Sequence, residues 1–305
     1  MRIPNLYEDR RAEGKTALRQ CQLVQLHLLK VLKKICDDHG IRLWLCGGTL
    51  LGAMRHKGFI PWDDDLDVMM LKSDYKQFLR WAKEELPEDV FLDLPEHDEA
   101  FREENSITRL RDNYSMGLLR HNKRLLINDH HGIQIEIFLL EECWGKSRLM
   151  ASILHTYLSN RGWYRRAFFD KVTLWNLVRK WAMGVWVKTT GALWYFLQSL
   201  PVRKRYLLAT NFYVAWKMWL PKEWFIQSGR AERTARFEDC EMPIPYETEE
   251  YLEFEYGDWH VLPPKEKRKG LMGVILPFVP CMHPAAMKHP LSESVVRTYD
   301  GTLID

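Results

Sequence analysis

Four carboxylates fall within five residues at Asp63-Asp64-Asp65-Leu66-Asp67, and the chain then runs at once into Val68-Met69-Met70. Nothing else in the sequence restricts the fold as much. Like charges this close cost free energy unless something positive offsets them, and acids entering an apolar core need a partner. A run of acids on a solvated loop is the ordinary alternative. Here Trp62 precedes the run and apolar residues follow, so Asp65 to Leu71 reads as a strand whose acidic end stands at the rim of a core. Residues two apart on a strand share a face, with Cα atoms about 6–7 Å apart. Asp65 and Asp67 can then converge on one hard cation, Mg²⁺ or Mn²⁺, held by oxygen at about 2.1 Å. Asp63 shares their face and ranks above Asp64 for positioning an acceptor or water.

The flanking segments predict a mixed sheet. From Thr16 to His39, Leu18, Cys21, Val24, Leu28, Val31, Leu32 and Ile35 recur at helical spacing, and Gly40 ends the helix. Ile41–Cys46 reads as a short buried strand, stopped by Gly47-Gly48, with a short helix over Thr49–Arg55. Ser73 caps a helix running to about Leu86, closed by Pro87. Further strands are expected at Ser106–Arg111, Tyr114–Leu119 and Ile133–Leu139. This order gives an α+β core. Gly47, Gly48 and Thr49, between strand and helix, offer backbone N–H groups and a hydroxyl to a phosphate, although such a turn is weak on its own. Arg55 and Lys57 follow, either as phosphate partners or as solvated loop cations. Glu136, flanked by Ile135 and Ile137, is either a functional acid inside a buried strand or a glutamate on a solvated sheet face.

Composition changes after residue 143. Residues 143–222 hold eight tryptophans and fourteen Lys or Arg against one acid, Asp170, whereas Phe237–Asp258 holds nine acids and no Lys or Arg. Three regions are expected: a catalytic core over 1–142, a basic Trp-rich helical segment over 143–222, and a segment over 223–305 that packs back on the core. Leu174, Leu177, Trp181, Val185 and Lys188 recur at helical intervals. The basic segment either docks on an anionic membrane or a lipid-linked acceptor, or is an ordinary subdomain whose cations pair with the acidic stretch. A net charge of +3 is too small to argue for nucleic acid. Six cysteines without a CxxC pair suggest free, mostly buried thiols. Met1–Arg10 has acids and no apolar signal-peptide core, and the uncharged stretch Thr189–Val202 is too short to span a bilayer. The expectation is a cytoplasmic protein, with peripheral contact at the inner face of the membrane as a further reading.

The run from Gly47 to Asp67 resembles the LicD family, which includes fukutin-type relatives. The resemblance extends from the helix near Thr16 to Ile137. It resumes at Tyr256-Gly257-Asp258-Trp259 and Leu262-Pro263-Pro264-Lys265-Glu266-Lys267-Arg268, which is similar to that family's YGDxxxLPPxxKR block. The resemblance implies a nucleotidyltransferase-like core and transfer of a phosphorylated small group, phosphocholine or ribitol phosphate, from a CDP-linked donor to a glycan or lipid-linked glycan, releasing CMP. It implies Asp65 and Asp67 as metal ligands, Glu136 in the third acidic position, where it either completes the metal site or takes the acceptor proton, and Gly47, Gly48 and Thr49 on donor phosphate. Relatives commonly carry Asp where this chain has Glu136. Two other readings are nucleotidyl transfer releasing pyrophosphate and a non-catalytic membrane-associated scaffold.

Overall fold

Helix α1 (Ala17–His39) is the spine of the protein. Thr16 Oγ1 accepts from the Arg19 N–H, and Gly40 closes the helix in the left-handed region at φ 63°. The computed structural model describes residues 7–94, 107–119, 130–143, 174–203, 206–209 and 219–281, so the expectations for 144–173, 210–218 and 282–305 fall outside the described residues. The α1 face bearing Leu28, Leu29 and Leu32 is fully buried; truncating any one of them to Ala would cost about 2–5 kcal/mol.

Beyond α1 come β1 (Leu43–Leu45), α2 (Gly47–His56), β2 (Asp67–Leu71), α3 (Lys72–Glu85), β3 (Val90–Asp93), β4 (Thr108–Asp112), β5 (Met116–Leu119) and β6 (Gln134–Cys143). Then follow α4 (Leu174–Ser199), β7 (Tyr206–Ala209), β8 (Trp219–Pro221), β9 (Thr234–Phe237), β10 (Cys240–Pro243), α5 (Thr248–Tyr256) and β11 (Met272–Leu276). The main sheet has the order β1-β2-β6-β4-β3, and β7 joins the far half of β6 with β8 outside it. The β2–β6 pair is parallel; the other pairs of this sheet are antiparallel. The protein is thus α+β with a mixed sheet, as expected.

Three local expectations need correcting. Ser73 does not cap α3: the helix begins at Lys72, and the Ser73 hydroxyl turns to Asp74 Oδ1. Asp65 precedes β2 rather than opening it. The basic segment is not wholly helical, because β7 and β8 extend the main sheet. Its predicted helix is present as α4, and Trp194 and Trp219 are buried. All six cysteines are free, and five are buried.

The N-terminal end is tied down by a buried ion pair. Arg11, 2% exposed, donates to both Asp112 carboxylate oxygens at 2.7 and 3.0 Å and to the Pro277 carbonyl at 2.6 Å. It links a turn before α1 to the end of β4 and to the segment after β11. Burial opposes its charge, and Asp112 and Asp9 more than offset that, so its pKa rises.

Candidate active site

The acidic run is pinned from behind by α1. Gln22 Nε2 donates to the Asp63 carbonyl at 2.9 Å, and Gln25 Nε2 donates to the carbonyls of Asp64 at 2.7 Å and Gln134 at 3.1 Å. These amides hold the extended backbone entering β2, so its side chains alternate without a strand ladder. Asp64 turns inward, 2% exposed, and accepts from the Leu271 and Met272 N–H groups at 2.7 and 2.9 Å. It does not face the acceptor side expected of it. Gly270 makes this contact possible, since a Cβ there would lie 2.1 Å from Asp64 Oδ2.

Asp63, Asp65 and Asp67 turn the other way and press on one another. Burial, then the charge of Asp65, pushes Asp63 up to about 9. Asp65 is raised by burial and then by Asp64 and Glu136, against the opposing pull of its hydrogen bond with Asp63. Asp67 is raised well above the usual range by burial, then by Asp65 and Glu136. Three carboxylates that resist ionising together are a set that a cation would stabilise.

Register places Glu136 beside them. Asp67 on β2 pairs with Glu136 on β6, and Glu136 pairs with Arg109 on β4, so the three residues stand in a row across the sheet. Glu136 is held by the buried Arg109 Nε at 2.9 Å and by Gln134 Nε2 at 2.8 Å. A charge-assisted bond of this kind orients the carboxylate and competes with a cation for it. Among the described residues, no group of three or more His, Cys, Asp or Glu side chains is arranged to hold an ion as it stands. The donor set nevertheless suits a hard cation, because every group in it is a carboxylate oxygen.

The start of α2 meets this cluster. Gly47 lies in the left-handed region at φ 53°, and a Cβ there would come 3.6 Å from Asp67 Oδ2 and 3.8 Å from the Tyr256 hydroxyl. A Cβ on Gly48 would lie 2.9 Å from Asp63 Oδ2. The glycines therefore let backbone approach the acids closely. The Gly47 amide is bonded to the Tyr251 hydroxyl, which also bonds Glu255. The N–H groups of Gly48 and Thr49 also stand at this helix start, where the first N–H groups lack partners within the helix. Thr49 is buried, and its Oγ1 accepts from the Asp67 N–H at 2.8 Å, fixing the acid's backbone.

The expected cations separate. Arg55 donates from Nη1 to the Trp259 carbonyl at 3.0 Å, while its buried Nε has no partner. Burial and the neighbouring Arg268 charge lower its pKa. Arg268 stacks over Trp62, 5.0 Å from the ring centroid. Two arginines thus stand near each other, beside Trp62 and Trp259. Lys57 is exposed at the end of α2, where its carbonyl accepts from the Glu238 N–H.

Reasoning along the sequence missed Arg109, Gln134, Glu255 and Arg268. Arg109 and Gln134 reach Glu136 by strand pairing, which local periodicity does not encode. Glu255 lies in the acidic stretch, and its charge presses on Asp67 and Cys46. Arg268 closes the LPPxxKR block, which was a signal without an assigned role.

Residues 40–114 match the domain described as LicD/FKTN/FKRP, nucleotidyltransferase domain. The chain is 30% identical over 267 residues to the lipopolysaccharide cholinephosphotransferase LicD of Haemophilus influenzae, covering 84% of this chain and 96% of that protein. Shorter matches include human ribitol 5-phosphate transferase FKRP, 48% identical over 40 residues, and mouse ribitol-5-phosphate transferase FKTN, 41% identical over 49 residues. Those cover 13% and 16% of this chain and 8% and 11% of the respective relatives. With the acidic cluster, the glycine turn and the returning C-terminal block gathered in one place, and with a relative matched along nearly its whole length, this chain belongs to the LicD family.

Proposed function

We propose that this protein is a metal-dependent phosphotransferase with a nucleotidyltransferase-like core. It moves a phosphorylated small group, phosphocholine first among the candidates, from a CDP-linked donor to a hydroxyl of a cell-surface glycan. The observation that carries the reading is the facing set Asp63, Asp65 and Asp67, whose carboxylates are all held above their usual range by burial and mutual repulsion. The activities of the relatives, cholinephosphotransferase and ribitol-phosphate transferase, support the same class.

Asp65 and Asp67 would hold Mg²⁺ or Mn²⁺, with Asp63 in reach through its contact with Asp65. A divalent ion held by these carboxylates would supply positive charge to neutralise phosphate and Lewis acidity to polarise a phosphoryl oxygen. Arg55 and Arg268 supply positive charge for the donor diphosphate, and the amides of Gly48 and Thr49 supply N–H donors. The acceptor oxygen attacks the phosphorus that carries the small group. The bond from that phosphorus to the bridging oxygen breaks, and CMP leaves with the electron pair. Glu136, oriented by Arg109 and Gln134, takes the acceptor proton.

The test is product analysis. Purified protein is incubated with CDP-choline, CDP-ribitol and CDP-glycerol, with and without Mg²⁺, and nucleotide products are resolved. Metal-dependent CMP supports the proposal. With a glycan acceptor present, release of the free phosphorylated small group with CMP carried onto the acceptor assigns attack to the other phosphorus, and neither product with any donor leaves only a binding role.

A further inference from the structure

The reaction proposed above uses no residue of α4, yet this helix carries most of the large apolar side chains exposed among the described residues. At 3.6 residues per turn, Trp175, Val178, Val185, Trp186, Leu193 and Phe196 fall along one side. Gly191, Trp194 and Gln198, through which the helix is buried, fall on the opposite side. Exposure along the outward stripe runs from 44% at Val185 to 72% at Trp175, so these are not core residues. Scattered exposed apolar side chains are ordinary; a continuous stripe six turns long marks a surface that something covers.

Charge selects the occupant. Within α4 there is no Asp or Glu and Lys188 is exposed, and the exposed Arg203 follows the helix. Part of the acidic stretch that could have neutralised this region is engaged elsewhere. Glu238 bonds Arg19, Asp239 bonds Arg10 and Lys30, and Glu249 bonds Arg233. The α4 of a second copy docking about a two-fold axis would offer these cations no opposite charge. An anionic bilayer instead offers opposite charge to the cations and an amphipathic boundary to Trp175 and Trp186. No helix among the described residues is long and apolar enough to cross a membrane, which leaves the interface plane.

We infer that α4 docks this protein on an anionic lipid surface, with its outward stripe at the boundary between headgroups and acyl chains. The docked face lies away from the acids. The Tyr195 hydroxyl is 3.5 Å from Lys72 Nζ, just past the C-terminal end of β2, whereas Asp67 opens that strand. Four residue steps, about 13 Å, separate the two ends. Substitutions on the stripe therefore leave the chemistry untouched.

The experiment is co-sedimentation of the full chain with phosphatidylcholine vesicles, with or without phosphatidylglycerol. Binding is expected to the anionic vesicles alone and to weaken with salt. The double variant Val178→Asp/Trp186→Ser is expected to lower partitioning at least tenfold, with circular dichroism and CMP release from a water-soluble donor unchanged. Lys188→Gln and Arg203→Gln should each lower it about fivefold. Absence of binding to either vesicle at low salt overturns the inference, as does a double variant that partitions like the parent. A dimer by light scattering that the double variant dissolves also overturns it and assigns the stripe to a second copy. Vesicle partitioning and oligomeric state do not depend on which phosphorus the enzyme attacks.

Discussion

Asp65→Asn separates the cost of the acidic cluster from its use. Burial and then the Asp65 charge raise Asp63, and Asp65 is also the leading charge acting on Asp67, so one substitution relieves two neighbours. An acid with a raised folded-state pKa binds its proton more tightly in the folded protein. Its stability contribution is full below the unfolded value near 3.8 and is lost as pH rises toward about 9, the value for Asp63. Two carboxylates about 4 Å apart at an effective dielectric near 20 repel by about 4 kcal/mol. The hydrogen bond that Asp65 makes with Asp63 returns about 1 kcal/mol, and partial solvent access screens part of the rest. A net gain of roughly 2 kcal/mol is expected for cation-free Asp65→Asn at about pH 9, shrinking toward zero near pH 4. Urea unfolding followed by tryptophan fluorescence, in EDTA and in Mg²⁺, reads this directly. Mg²⁺ should stabilise the parent more than the variant, and turnover in the variant should vanish. The reasoning fails if Asp65→Asn is destabilising at high pH without cation, if Mg²⁺ stabilises both proteins equally, or if metal-dependent turnover stays within a few-fold.

Glu136→Gln should lower kcat at least about tenfold, the scale of a lost base or ligand, and Glu136→Asp should lower it less; steady-state CMP release compares them, and equal loss in both would mean that reach rather than charge decides. Arg11→Ala leaves Asp112 buried without its partner and should destabilise by about 3–5 kcal/mol in urea unfolding, with the activity per folded molecule retained. Asp64→Asn removes the charge from two hydrogen bonds and sets an amide N–H₂ against a backbone N–H, so a loss of about 2–3 kcal/mol is expected. Its turnover, normalised to folded protein, should persist, the opposite of Asp65→Asn one residue away.

Much of the frame was legible along the chain. Thr16 and Gly40 bound α1 because a cap and a left-handed glycine are local devices, and β1, α2 and β6 fell close to their predicted places. Ser73 was misread because its hydroxyl found the adjacent Asp74 carboxylate before any backbone N–H. The edge strand β3 and the β9–β10 hairpin carry few alternating apolar residues, so neither rises above its surroundings. β7 and β8 lie in a segment whose cations and tryptophans suggested a separate helical region. Within the site, Asp63, Asp65 and Asp67 could be grouped from spacing alone. The Asp67–Glu136–Arg109 row could not, because register between strands is set by packing on both faces of the sheet.

The acidic run also explains why the distant C-terminal block belongs to the same site. Its three outward acids repel one another, a liability that the proposed cation would offset, while the inward one is a structural anchor. Asp64 accepts the Leu271 and Met272 amides at the start of β11, and β11 pairs with β5. The chain between α5 and this anchor is therefore held against the acids. That stretch includes Trp259, whose carbonyl takes Arg55, and Arg268, which stacks on Trp62 immediately before the run. Tyr256 and Glu255, at the end of α5, close the other side beside Gly47 and Asp67. Replacing Asp64 by a larger side chain would not merely remove two hydrogen bonds; it would push Gly270 away and carry Arg268 with it. The block Tyr256–Arg268 and the run Asp63–Asp67 are thus mechanically one unit, although nearly two hundred residues separate them.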